Sequence, residues 1–195
     1  MTQRESSKAV PPSVSAAGTD PSVPDLLSPP FHASLMEVAL EQAVHARDAG
    51  EVPIGAVVAL NGEIVGRGFN QPISSGDPTA HAEIVAIRDA ARATGNYRLT
   101  GAILCVTIEP CLMCVGALVH ARIGTLVFGA PEPRTGAVVS TVKGGELPGH
   151  NHRFAVESGV REEACRALMQ AFFQERRARQ SQSGPVDSQA EEREV

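Results

Sequence analysis

The segment Ala102-Ile103-Leu104-Cys105-Val106-Thr107-Ile108-Glu109-Pro110-Cys111-Leu112-Met113-Cys114 decides the fold. Its first seven residues are mostly apolar and β-branched, as is typical of a β-strand. Pro110 follows almost at once, and proline suits the first turn of a helix. The segment therefore predicts a strand from Ala102 to Ile108 that passes directly into a helix.

This helix carries Cys111 and Cys114, which lie three residues apart, so one helix face can present both sulfurs to one metal ion. His81-Ala82-Glu83 lies thirty residues earlier than Cys111-Leu112-Met113. One imidazole and two thiolates give zinc three protein ligands, and three leave the fourth tetrahedral position open, as in catalytic sites. Zinc lowers the pKa of water towards about 7, and Glu83 can move protons to and from that water. The pattern predicts catalytic zinc.

The alternative is a structural zinc site whose fourth ligand is His120, His150 or His152. Structural zinc sites normally pair short-spaced ligands on both sides, which a lone histidine before a single Cys-x-x-Cys does not provide. Glu83 would also have no purpose in a closed site. H-x-E followed by P-C-x-x-C is, moreover, the known signature of zinc deaminases that act on nucleobases.

The rest of the chain alternates between helix and strand patterns. The predicted elements are a helix opened by a capping box at Ser34 to Glu37 and closed by Gly50, strands 54–60 and 63–69 around an Asn61-Gly62 turn, a helix from Asp77-Pro78-Thr79 to about Thr94, strands 125–129 and 153–157, and a helix over 162–180. This order indicates an α/β fold with helices on the faces of a partly parallel sheet.

The two ends of the chain differ from its centre. Residues 1–30 are rich in proline and serine, and residues 181–195 end in an acidic run, so we expect both to be disordered tails around a domain spanning 31–180. The net charge is −5. The tails carry three basic and seven acidic residues, which leaves the domain at −1 and permits a nucleic-acid partner.

We find no targeting signal in the sequence. No early apolar stretch resembles a signal peptide, and no run is long enough to cross a bilayer. Two of the four cysteines are assigned to the metal, and Cys105 and Cys165 fit buried packing. We therefore expect a cytoplasmic protein without a membrane partner.

Beyond the zinc motif, the chain closely resembles the bacterial tRNA-specific adenosine deaminases of the cytidine/deoxycytidylate deaminase superfamily. The segments that carry the resemblance are Glu51 to Val57, Asn70 to Ile73, Asp77 to Glu83, Asn96 to Leu99, Glu109 to Cys114, His120 to Gly124, Val127 to Ala130, Thr135 to Ala137, Asn151 to Arg153 and Phe172-Phe173. The resemblance implies a cytidine-deaminase-like three-layer fold, in which helices flank a central mixed five-stranded sheet. It also implies a homodimer with one zinc ion per subunit.

The activity that the resemblance implies is hydrolytic deamination of adenosine to inosine at the wobble position of a tRNA anticodon loop. The expected substrate is the arginine tRNA with an ACG anticodon. An anticodon-loop adenine is unpaired, so placing it in a pocket costs little.

The resemblance also assigns roles to single residues. His81, Cys111 and Cys114 would hold zinc, Glu83 would shuttle protons, and the Ala82 backbone N–H would serve as an oxyanion site. The implied substrate contacts are Asn70 to the base, Ile54 as an apolar wall, Glu132 near the ribose, and His152, Arg153, Phe172, Phe173 and Arg176 around the anticodon loop.

Several of these residues also fit plainer interpretations. Asn70 suits a turn, Ile54 suits a sheet core, and Asn151-His152-Arg153 suits a brace between loop and strand. The last helix could be an amphipathic helix with a solvated basic end. Where the family usually has an aspartate followed two residues on by a lysine, this chain has Glu132 and Arg134, so the carboxylate keeps its charge but reaches about one methylene group further.

Two other functions compete with the tRNA enzyme. A free-base or nucleoside deaminase, for guanine or cytidine, would share the zinc motif but would not need the basic Phe-Phe-x-x-Arg-Arg ending. A non-enzymatic RNA-binding module with structural zinc would not need Glu83.

Overall fold

The computed structural model describes residues 28–182, and the side chains of residues 28–181. The tails expected at 1–30 and 181–195 therefore lie almost wholly outside the described residues. The helices are α1 (Pro29–Asp48), α2 (Pro72–Ser75), α3 (Ala82–Thr94), α4 (Leu112–Ala121) and α5 (Glu162–Gln182), with a short 3-10 helix at Gly144–Glu146. The strands are β1 (Gly55–Leu60), β2 (Glu63–Phe69), β3 (Ile103–Ile108), β4 (Thr125–Ala130) and β5 (Ala155–Ser158).

The five strands form one mixed sheet in the order β2-β1-β3-β4-β5. β1 pairs antiparallel with both β2 and β3, whereas β3, β4 and β5 run parallel to one another. The hairpin between β1 and β2 turns at Asn61 and Gly62, whose φ angles of 54° and 86° are both positive. This is the backbone that an Asn-Gly turn favours, and the predicted hairpin is confirmed.

Helices cover both faces of the sheet. Alternate residues of a strand point to opposite faces, so in β1 the side chains of Val57 and Ala59 pack with α1, whereas Ala56 and Val58 pack with α3. α5 joins α1 on the first face and α4 joins α3 on the second. The three-layer α/β fold with a mixed five-stranded sheet is therefore confirmed.

The helix beside β2 approaches the strand unusually closely. A Cβ on Gly68 would lie 2.4 Å from the Ala86 nitrogen and 2.5 Å from the Ala82 oxygen, and a Cβ on Gly66 would lie 2.5 Å from the Ala86 oxygen. Only glycine allows this contact. It fixes the first turn of α3, which carries the His-x-Glu motif, against the sheet.

Two predicted helix starts are wrong. α1 begins at Pro29, five residues before the proposed capping box, and the Ser34 hydroxyl donates to the Phe31 carbonyl inside the helix. In the added turn His32 is buried and Phe31 packs against the core, so packing extends this helix before its local signal. α3 begins at Ala82, so His81 is its N-cap. The short helix α2 was not predicted.

Candidate active site

The predicted metal ligands occupy equivalent places on two helices. His81 is the N-cap residue of α3 and Cys111 is that of α4, both with extended backbone, and neither side chain makes a capping hydrogen bond to its helix. An N-cap side chain normally satisfies the first N–H groups of a helix. Here both side chains are turned to each other instead, and Cys114 joins them from the first turn of α4.

The three ligand atoms form a nearly equilateral triangle. The His81 Nδ1 lies 3.7 Å from the Cys111 Sγ and 3.6 Å from the Cys114 Sγ, and the two sulfurs are 3.7 Å apart. Tetrahedral zinc, with bonds of about 2.3 Å to sulfur and about 2.1 Å to nitrogen, would place S and S about 3.8 Å apart and S and N about 3.6 Å apart. The donor set and its spacing therefore fit zinc.

The alternative of a fourth protein ligand finds no support in the geometry. Within residues 28–182, the group of histidine, cysteine and acidic side chains that could hold a metal is His81, Cys111 and Cys114. His152 contacts the Ile123 carbonyl through its Nε2, at 2.6 Å. Neither His120 nor His150 joins the triangle, which is therefore a three-ligand site, as a catalytic zinc requires.

Hydrogen bonding in the triangle favours ionisation of the Cys111 thiol. Hydrogen bonding from the Cys114 thiol lowers the pKa of Cys111 to about 4, while the contact with Cys111 and burial raise the pKa of Cys114. Contact with Cys111 also raises the pKa of His81. Of the two cysteines, Cys111 ionises first, and zinc binding must displace the protons that remain on the other ligands.

The carboxylate predicted to move protons lies in the same place. Glu83 is the second residue of α3 and is 4% exposed. Burial raises the pKa of this carboxyl above its ordinary 4.5. Ala82, before it in the first turn of α3, is fully buried.

A cavity of about 190 Å³ opens beside these groups. This volume is below the range of about 300–1,000 Å³ that is typical of drug-sized ligands, and it suits one base. The residues lining it are Val52, Ile54, His81, Glu83, Ile108, Glu109, Cys111, Glu132, Thr135, Met169 and Phe173. Of the predicted substrate contacts, Ile54, Glu132 and Phe173 line the same cavity as His81 and Cys111.

Other predicted substrate contacts lie outside this cavity lining. Asn70 is buried, and its backbone N–H donates to the Ile54 carbonyl at 2.9 Å. The Arg153 guanidinium donates to the Gly145 carbonyl, and the His152 contact to Ile123 supports the brace that the sequence left open. Arg176 lies over the Phe172 ring, 6.0 Å from its centroid, and lines a separate cleft.

Sequence reasoning did not single out five of the lining residues as parts of the pocket. These are Val52, Ile108, Glu109, Thr135 and Met169. Met169 precedes Phe173 by one helical turn, so the spacing of four residues could have placed both on one face. Thr135 lies on a loop whose sequence has no helix or strand pattern, so no local signal could have placed it in the pocket.

Glu109 lies at the base of this loop. Burial alone would raise its pKa, but hydrogen bonds from Ser140, Val139 and Glu132 outweigh burial and hold the pKa below its ordinary 4.5. Glu132, which also lines the cavity, accepts a hydrogen bond from the Arg134 backbone N–H at 3.0 Å through its Oε1. The longer carboxylate at this position therefore forms a local turn.

Comparison with known proteins agrees with this geometry. Residues 29–130 match the family model of the cytidine and deoxycytidylate deaminase zinc-binding region. A tRNA-specific adenosine deaminase of Haemophilus influenzae is 46% identical over 148 residues, which cover 75% of this chain and 86% of that protein. One from Bacillus subtilis is 44% identical over 142 residues, covering 73% of this chain and 88% of that protein.

A solved structure shows the same fold at high identity. It comes from a study of A-to-I editing by tRNA:A34 deaminases at the wobble position of transfer RNA, and it is 44% identical with a TM-score of 0.68. The match covers 69% of this chain and 98% of that one. The chain therefore belongs to the cytidine and deoxycytidylate deaminase family, among the tRNA-specific adenosine deaminases.

Proposed function

We propose that this protein is a zinc-dependent deaminase that converts adenosine to inosine at the wobble position of a tRNA anticodon. The observation that carries the proposal is the triangle of His81, Cys111 and Cys114 beside the buried Glu83, at one end of a base-sized cavity. Bound zinc supplies the nucleophile, because it lowers the pKa of water towards about 7.

The chain's own groups would carry the proton transfers. Glu83 takes a proton from the attacking water and returns protons to the base, so that ammonia leaves C6 of adenine and inosine remains. The apolar side chains of Val52, Ile54 and Ile108 wall the cavity, which excludes competing water and orients the ring.

The surroundings of the cavity favour a nucleotide chain over a free base. A second groove of about 550 Å³ shares Met169 and Phe173 with the cavity and is also lined by Arg134, Gln170, Gln174 and Arg177. Two guanidiniums beside an exposed aromatic ring are suited to phosphates and stacked bases. A deaminase of free bases would have no use for such a groove.

The test is incubation of the zinc-loaded protein with an arginine tRNA transcript that carries an ACG anticodon. Sequencing reports inosine as guanosine, so we expect conversion at the wobble position and at no other adenosine. The matched control is zinc-loaded Glu83→Ala. The contrary outcome is a folded, zinc-bearing protein that leaves the tRNA unchanged and deaminates free guanine, cytidine or adenosine. That result would contradict the proposal that the substrate is tRNA.

We also propose that the protein is a homodimer. Val115, Leu118 and Val119 of α4 are buried within the single chain, so they serve the core. The exposed apolar side chains at the start of α4 and on the loop after β4 are Leu112, Met113, Val139 and Val142. Exposed apolar side chains of this kind suit contact with a second copy. A monomeric mass in light scattering at micromolar concentration would contradict this.

The hydropathy of the helices and the state of the cysteines bear on the cellular compartment. Within residues 28–182, no helix has the length and hydropathy that a membrane span needs. All four cysteines are free thiols, which persist in a reducing compartment. We therefore propose that the protein acts in the cytoplasm.

A further inference from the structure

Glu109 makes a dense set of contacts that the chemistry does not use. It follows β3 directly and is 4% exposed. Its Oε1 accepts hydrogen bonds from the backbone N–H groups of Val138, Val139 and Ser140, at 3.0, 2.8 and 3.0 Å. Its Oε2 accepts from the Glu132 N–H at 3.0 Å and from the Ser140 hydroxyl.

These five donors occupy the whole carboxylate. An ionised carboxylate offers about four lone-pair sites, so Glu109 has little capacity left to accept a proton or a substrate hydrogen bond. A buried charge needs such partners to be tolerated. Glu109 lines the cavity, but its bonding is directed at the protein.

All five donors come from one loop, residues 131–141. The loop wraps so closely that a Cβ on Gly136 would lie 2.4 Å from the Glu109 Oε2 and 2.5 Å from its Cδ. The Ala137 N–H donates to the Pro110 carbonyl at 2.8 Å, and Gly136 forms a β-bridge with Cys111. The loop is thereby held against the segment that supplies a metal ligand.

This loop delivers two side chains to the cavity. Glu132 and Thr135 both line it, and the Glu132 backbone is itself bonded to Glu109. The bonds of Ala137 and Gly136 hold only the middle of the loop, whereas the buried carboxylate is bonded to residues on both sides of them and so fixes the side chains between.

We propose that Glu109 is a positioning residue, which holds loop 131–141 so that Glu132 and Thr135 meet the RNA beside the metal ligands. The proposal rests on the proposed function for the identity of the substrate. It assigns Glu109 no proton transfer. The expected consequence of losing it is poorer substrate binding by an enzyme whose metal site is complete.

The test compares the zinc-loaded wild type with Glu109→Gln by amide hydrogen exchange and by kinetics on an anticodon stem-loop RNA. We expect faster exchange within 131–141 and unchanged zinc content. We also expect kcat/KM to fall on the order of 10- to 100-fold, mostly through KM, because misplaced contacts weaken binding. The matched control is Glu63→Gln, since Glu63 is exposed on β2.

Gly136→Ala is a second variant that keeps Glu109 but pushes the loop from it, and it should give the same two changes. Unchanged exchange in 131–141 in Glu109→Gln and Gly136→Ala would overturn the proposal, as would loss of zinc or a fall confined to kcat. The exchange measurement needs no activity. A wild type that is inactive on RNA would therefore refute the proposed function, while exchange still decides whether Glu109 holds the loop.

Discussion

The Nδ1 of His81 lies 3.7 Å from the Sγ of Cys111, although the two residues are thirty positions apart in the chain. Each is the N-cap of a different helix, and neither side chain caps its own helix. The separation is close to that expected between two ligands of tetrahedral zinc. Metal binding is therefore the role that both side chains share.

Replacement of Cys111 should remove the metal. In Cys111→Ser a weakly basic hydroxyl replaces a thiolate, and only two strong ligands remain. We expect the purified variant to contain far less than one zinc per chain by elemental analysis. Cys165→Ala is the control, since Cys165 is a buried cysteine outside the triangle and its loss should leave the zinc content unchanged. Normal zinc content in Cys111→Ser would remove Cys111 from the ligand set.

Replacement of Glu83 should separate metal binding from catalysis. Glu83→Ala keeps all three ligands, so zinc content and the thermal midpoint should stay close to those of the wild type. Loss of the proton carrier should lower kcat by about 10²–10⁴-fold, measured as inosine formed under saturating RNA. A fully active Glu83→Ala protein would contradict the proposed mechanism.

Chelation should expose one cysteine selectively. Cys111 is partly exposed and its pKa is lowered to about 4, whereas Cys105 and Cys165 are buried and burial raises the pKa of both thiols, that of Cys165 to about 11. We expect iodoacetamide at neutral pH to label Cys111 first after zinc removal, and to label it slowly when zinc is bound. Peptide mass spectrometry measures this. Equal labelling of Cys105 and Cys111 in the chelated protein would contradict the predicted selectivity.

The close contact between β1 and α1 should tolerate no side chain at position 55. A Cβ on Gly55 would lie 2.1 Å from the Ala39 oxygen and 2.4 Å from the Ala43 nitrogen. Gly55→Ala must therefore move the helix or the strand, and we expect it to lower the free energy of unfolding by at least about 2 kcal/mol. Urea denaturation measures the change, with the exposed Glu63→Gln as control. An unfolding midpoint equal to that of the wild type would show that the two elements separate easily.

The loop before the metal ligand should contribute a pH-dependent share of stability. Hydrogen bonds from the Thr79 hydroxyl and N–H, at 2.6 and 2.8 Å, hold the pKa of Asp77 below its ordinary 3.8. Because the folded pKa is the lower one, this stability is present above about pH 4 and is lost as the pH falls through the lowered value.

The comparison is between the wild type and Asp77→Asn. The difference between their thermal midpoints should be constant from pH 7 to about 5 and should shrink as the pH approaches about 3. Both proteins are measured without zinc, so that release of zinc at low pH does not enter the difference. A difference that is independent of pH would show that the Asp77 charge contributes nothing.

Local patterns in the sequence determined the elements and the chemistry. The Asn61-Gly62 turn, the strand before Pro110 and the Cys-x-x-Cys helix follow from interactions between residues near each other in the chain, and the structure contains all of them. The ligand types and the neighbouring Glu83 indicated catalytic zinc, because donor chemistry is a property of the residues themselves.

Only the tertiary structure decided where the helices begin and how the pocket is completed. Burial of His32 and packing of Phe31 against the core extend α1 to a start before its capping signal. The hydrogen bonds that Glu109 accepts from a loop more than twenty residues away place Glu132 beside the metal ligands. Such contacts depend on the packing of β3 against its neighbours, and no local pattern encodes a contact between distant segments.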